Sequence, residues 1–224
     1  MATSKLTLHG FPRTPCTKIA RIVLEELGVP YDLVRVDFLG YEHHSAAYRT
    51  QQPFGQVPYL VESSGADGGD DFVLFECRAI ARYAAILYGG VEKGLVPDPA
   101  DARAVARFEQ AASVEVTDFM PSARTLLLEN VVKPIRGLER DPKKVAECET
   151  LLQAKLDGYE AMLSKSKYLA GHHLTIVDLF HVGYGAPLKM QGYDYLESPR
   201  WPNVARWWKD ISSRQSWSNV NVSD

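Results

Sequence analysis

Gln52-Pro53-Phe54-Gly55-Gln56-Val57-Pro58-Tyr59-Leu60 and, after a polar interruption, Phe75-Glu76-Cys77-Arg78-Ala79-Ile80-Ala81-Arg82-Tyr83 are the two stretches around which the chain is organised. In the first, prolines and a glycine punctuate the approach to an apolar strand over Pro58 to Glu62. In the second, a strand over Phe72 to Phe75 ends in Glu76, where a helix running to about Leu87 begins. The residues between, 63–71, are too polar and glycine-rich for anything but an exposed turn. Upstream, Lys5 to His9 alternates as a short strand. Ile19, Ala20, Val23, Leu24 and Leu27 then fall on one helical stripe, with Thr14 as N-cap, Pro15 at the first helical position, and Gly28 and Pro30 as the stop. Tyr31 to Asp37 reads as a second strand. A helix between two extended segments makes a βαβ unit with parallel pairing. The whole order, β-α-β, an irregular polar stretch with a short helix near Ser45 to Arg49, then β-β-α, is a thioredoxin-like arrangement.

Downstream the character changes. The segment 89–99 holds three glycines and two prolines and reads as a linker, which divides the chain into a first domain over 1–88 and an all-helical domain over 100–224. Val105, Phe108, Ala112, Val116 and Phe119 mark a long helix, bent near Pro121 and reaching about Asn130; Val145 to Leu163 is another. Thr175-Ile176-Val177-Asp178 has the spacing of a capping box, with Leu174 and Leu179 as its hydrophobic staple, so Asp178 is read as structural. Trp207, Trp208, Ile211 and Trp217 belong to an aromatic-rich last helix and tail.

The 224 residues are 46% hydrophobic and 24% charged with a net charge of -3, an ordinary globular composition that provides no chain-wide attraction for nucleic acid or anionic lipid. No apolar run approaches the ~18 residues of a membrane span, and the first five residues carry no leader-like segment, so a cytoplasmic protein with no membrane or nucleic-acid partner is expected. Cys16, Cys77 and Cys148 are too far apart for a disulfide framework or a zinc site.

The ordered set Thr14-Pro15-Cys16-Thr17, Tyr41-Glu42-His43-His44, Pro53-Phe54-Gly55-Gln56-Val57-Pro58, Glu76-Cys77 and Thr175 to Asp178 resembles glutathione transferases over nearly the whole chain, and within them the phi class in a fungal-type dress. The resemblance implies glutathione as co-substrate, no metal, and conjugation of its thiolate to small hydrophobic electrophiles in detoxification. It also implies a homodimer in which Phe54 is the key inserted into the partner, with Arg78 nearby. Val57 and a cis-Pro58 would pair with the backbone of the tripeptide. Glu76 and Cys77, with Gln56 beside them, would hold its γ-glutamyl end, and His43, His44 and Lys18 its glycyl carboxylate. The electrophile's pocket, between the two domains, would be lined by Phe11, Pro12, Phe119, Met120 and Ala123.

The chemistry needs a lowered thiol pKa. A free thiol near 8.5 is only a few per cent thiolate at neutral pH. A helix N-terminus contributes ~0.3 to 2 kcal/mol, and a hydroxyl donated to the anion about 1.5 to 3. Thr14 at the start of the first helix offers both, in the place where the phi class has serine. A plain N-cap role is equally compatible with the local pattern. Thr17 is a second hydroxyl within reach. Cys16 is the rival nucleophile, which would make the protein a glutathione-dependent thiol transferase. A non-catalytic protein that sequesters apolar metabolites is the third reading.

Overall fold

The computed structural model describes residues 5–64 and 70–221, so most of the predicted turn over 63–71 and the two extreme termini lie outside the described residues. The chain divides into two compact units, Met1–Gly90 together with Gln215–Asp224, and Val91–Arg214.

The first unit is built on a four-stranded sheet of β1 (Leu6–Gly10), β2 (Asp32–Arg35), β3 (Tyr59–Glu62) and β4 (Phe72–Phe75), in the order β2-β1-β3-β4. β1 runs parallel to β2, as the intervening helix requires, and antiparallel to β3, which pairs antiparallel with β4. Along β1, Leu6, Leu8 and Gly10 turn inward while Thr7 and His9 face the other side. The helices α1 (Pro15–Leu27) and α3 (Cys77–Leu87) pack on each other, burying Ile19, Val23, Leu24, Ile80 and Ala84. On the opposite side, Tyr48 from the short α2 (Ala46–Arg49) joins Val36, Val57 and Tyr59 in a separate apolar cluster. α1 stops at Gly28 in the left-handed conformation (φ 70°), its amide bonded back to Glu25.

The last helix corrects the sequence reading, which placed the whole tail in the helical domain. α10 (Gln215–Val220) belongs to the first unit: Ser216 donates to Glu26 (2.6 Å), Asn219 donates to Glu25 (2.8 Å), and Trp217 is buried. A polar tail after a turn carries no period that names its partner.

The second unit comprises α4 (Ala102–Val114), α5 (Met120–Leu127), α6 (Lys133–Ile135), α7 (Pro142–Leu163), α8 (Ile176–Met190) and α9 (Pro202–Ser212). The long helix expected to reach about Asn130 continues from α4 through α6, to Ile135, by way of two π-helical turns, Glu115–Phe119 and Leu128–Val132. Each ends two residues before a proline, Pro121 and Pro134. A wider turn shifts the acceptor register ahead of a residue that has no N–H to donate, so the helix passes both prolines without breaking. The capping box of α8 is present. No described helix is long and apolar enough to cross a membrane.

Candidate functional site

Strand register brings three of the predicted segments together. Tyr59 pairs with His9 on one side and Phe75 on the other, so Val57-Pro58, just outside the ladder, lies between the end of β1 and the start of α3. The Val57-Pro58 bond is cis. Gly10 permits this convergence: a Cβ there would stand 2.7 Å from Thr17 Oγ1 and 3.2 Å from Pro58 Cβ. The start of α1, the Val57-Pro58 corner and the start of α3 therefore share one end of the sheet.

Thr14 is the N-cap of α1 by backbone geometry (φ -74°, ψ 140°), but its hydroxyl does not cap the helix. Oγ1 lies 2.9 Å from the Phe11 carbonyl and 2.8 Å from Thr17 Oγ1. A hydroxyl has one proton and two lone pairs, so Thr14 donates to the Phe11 carbonyl or to Thr17 and can turn the same proton toward a ligand by giving up that bond. Thr17 is fully buried. That corrects its standing as a hydroxyl within reach of a ligand: it lies behind Thr14, inside the first unit. Cys16 is half-buried in the first turn of α1.

Glu76 is the N-cap of α3 with φ 72° and ψ 110°, a conformation costly for a residue with a side chain. Its exposed carboxylate does not cap its own helix. Cys77 follows it but is only 3% exposed, with Arg78 Nη1 3.8 Å from its sulfur. Its backbone N–H, not its thiol, is what the start of α3 offers. Gln56 is exposed, and both of its backbone groups are held by side chains: its N–H donates to Gln52 Oε1 (3.1 Å) and its carbonyl accepts from the Tyr48 hydroxyl (2.8 Å).

Three assignments change. His43 is 3% exposed and stacked on Phe38 at 4.4 Å, so it packs the loop, whereas His44 beside it is exposed. Lys18 turns to the tail: its ammonium donates to Asn221 Oδ1 (2.8 Å) and lies 5.2 Å from the Trp217 ring. Phe119 and Ala123 are each 1% exposed, and the Phe119 ring lies 5.0 Å from His181, inside the second unit's core; Met120 is half-buried. An aromatic at helical spacing carries the same pattern whether it lines a pocket or fills a core. Phe11, stacked on Phe38 at 5.8 Å, and Pro12 are buried in the first unit. Phe54 is 67% exposed, its ring edge against Phe75, and Arg78 is half-buried. Among the described residues no group of three or more His, Cys, Asp or Glu could hold a metal ion.

Tyr48 and Gln52, which hold Gln56, carry no signal in the sequence that marks them: Gln52 precedes Pro53 at the approach to β3, and Tyr48 is a single aromatic in an otherwise polar segment.

Comparison with known proteins gives matches in both units. The family description "Glutathione S-transferase, N-terminal domain" matches residues 4–86, and the corresponding C-terminal domain matches residues 119–215. The chain is 40% identical to glutathione S-transferase PM239X14 of Arabidopsis thaliana, over 93% of this chain and 91% of that protein. It is 36% identical to glutathione S-transferase hmp2 of Hypomyces subiculosus, over 95% of each. Among solved structures, glutathione transferase F7 of Populus trichocarpa superposes with a TM-score of 0.86 at 31% identity, covering 96% of this chain and 97% of that one. A glutathione S-transferase-I bound with lactoylglutathione superposes with a TM-score of 0.83 at 30% identity, covering 96% and 98%.

Proposed function

The chain belongs to the glutathione S-transferase family, and we propose that it activates glutathione with the Thr14 hydroxyl. The observation that carries this is the placement of Thr14 at the mouth of α1, with its oxygen 2.8 Å from Thr17 Oγ1 and accepting no N–H of its own helix. The tripeptide lies along the Val57 edge, its γ-glutamyl ammonium against Glu76 and its carboxylate at the amides opening α3. His44 meets the glycyl carboxylate.

The thiol loses its proton to solvent. Thr14 then swings its O–H from the Phe11 carbonyl to the sulfur, while the N-terminal amides of α1 add positive potential. Together these favour the anion by about 2 to 4 kcal/mol, enough to lower the thiol pKa by about one to three units. The thiolate attacks the electrophilic carbon of a small hydrophobic substrate. An aryl chloride loses chloride; an isothiocyanate keeps all its atoms and takes a proton on nitrogen.

Within the family the reading is phi-like. Of the two relatives compared, the plant protein has the higher identity, so a fungal type is not favoured. The protein works as a homodimer with Phe54, 67% exposed beside Arg78's helix, at the interface. Cys16, Cys77 and Cys148, far apart in the sequence, suit a reducing compartment, the cytoplasm.

The test measures conjugation of glutathione to an activated aryl chloride and to an isothiocyanate by wild type, Thr14→Ala, Thr14→Ser and Cys16→Ser, together with thiolate absorbance of the bound peptide against pH. Thr14→Ala slows turnover by about 10- to 100-fold and raises the bound thiol pKa; Thr14→Ser does neither. Equal rates for wild type and Thr14→Ala defeat the assignment. Disulfide reduction abolished by Cys16→Ser, with Thr14→Ala unaffected, replaces it with thiol transfer.

A further inference from the structure

The turn before the Val57 edge is held more tightly than an exposed loop requires. Gln52 is 1% exposed and Tyr48 6%, and both hold one residue, Gln56: Gln52 Oε1 takes its N–H and the Tyr48 hydroxyl donates to its carbonyl. The main chain closes the same loop. Gln52 N–H donates to Tyr48 O (3.1 Å) and Gly55 N–H to Gln52 O (3.0 Å). Gly55 has φ 62°, and a Cβ on it would come within 2.9 Å of the His43 carbonyl. The Tyr48 ring is anchored edge-on against Tyr59 at 5.2 Å, and burial pushes its phenol far above the ordinary range, so it remains a donor at any working pH.

We propose that Tyr48 and Gln52 are positioning residues that clamp both backbone groups of Gln56 and so pre-set the adjoining Val57 edge for the backbone of glutathione. The inference rests on the reading that this edge takes the tripeptide. An unclamped edge would sample other conformations, and binding would then have to overcome the entropy of ordering it. Neither side chain needs to touch the ligand, and neither acts on the sulfur, so affinity should change while the chemical step does not.

The experiment compares wild type with Tyr48→Phe, Gln52→Met and Gln52→Glu, the last retaining an acceptor oxygen. Glutathione binding is read by calorimetry, KM and kcat by aryl chloride conjugation, and Gln56 and Val57 amide exchange by NMR. Tyr48→Phe and Gln52→Met should each raise the Kd and KM for glutathione about fivefold, the worth of one neutral hydrogen bond, with kcat within about twofold of wild type. Both should speed exchange at Gln56 and Val57, and Gln52→Glu should restore affinity. The double variant Tyr48→Phe/Gln52→Met should fall short of the product of the two single effects, because both bonds hold one residue. A lowered Tm with unchanged Kd makes the pair structural and overturns the inference. If wild type binds glutathione and Thr14→Ala impairs turnover while the clamp variants bind as wild type does, the inference falls alone. If wild type binds no glutathione, the reading of the site falls and takes the clamp with it.

Discussion

Asp178 and Glu76 are both carboxylates at helix starts, and they are treated in opposite ways. Asp178 is fully buried and accepts from Leu169 N–H (3.0 Å), Thr175 N–H (2.9 Å), the Thr175 hydroxyl (3.0 Å) and Trp207 Nε1 (2.9 Å). Burial pushes its carboxyl upward while the Leu169, Thr175 and Trp207 bonds pull the other way. Glu76 is exposed, caps nothing, and sits at φ 72°. A group with all its lone pairs engaged by the protein has nothing left for a ligand. One held in a costly conformation, with its charge unused by its own helix, is what a binding site retains.

The contrast breaks first at Asp178. Asp178→Ala strands at least three buried donors and should lower stability by about 3 to 5 kcal/mol, as loss of one partner in a buried charged network does; urea unfolding measures it. A loss below about 1 kcal/mol would dissolve the distinction between the two carboxylates.

Glu76→Gly sharpens it, because the two consequences have opposite signs. Removing the side chain relieves the positive φ and should raise stability by about 1 kcal/mol, while glutathione affinity drops about tenfold for want of the ammonium's partner. Thermal unfolding and calorimetry on one preparation read both. Stability and affinity falling together would make Glu76 a structural residue too.

The smallest effect concerns His9, half-buried and stacked on Tyr59 at 4.4 Å. Burial holds its imidazole below the ordinary 6.5. The folded state therefore binds the proton less readily than the unfolded chain, and the contribution of the neutral ring, present above 6.5, is lost as pH falls through the depressed value. His9→Gln should flatten that part of the stability profile between about pH 7 and pH 5, measured by urea titration at each pH. A slope unchanged by the substitution would show that His9 does not sense its burial.

The framework around the candidate site was legible where it is local. The helix start at Thr14-Pro15 follows from the periodic helix it opens, and the Thr175 to Asp178 box from its spacing alone; both depend on residues within one turn of each other. Where Lys18, His43 and Phe119 point was not legible, because direction is set by partners elsewhere along the chain rather than by the residue itself. Asn221 takes Lys18 from 203 residues away, Phe38 covers His43, and His181 packs on Phe119.

The amino-acid order by itself determined the strand and helix succession, the parallel first pairing, the stop at Gly28 and the capped start of α8, since hydrophobic period, glycine and proline act through the backbone within a few residues. Only the tertiary structure decided that the tail returns to α1, that two π turns carry a helix past Pro121 and Pro134, and that Tyr48 and Gln52 converge on Gln56. Those outcomes depend on which side chains meet after the chain has closed on itself, and burial then favours, for a polar atom taken from water, a partner that no local pattern names.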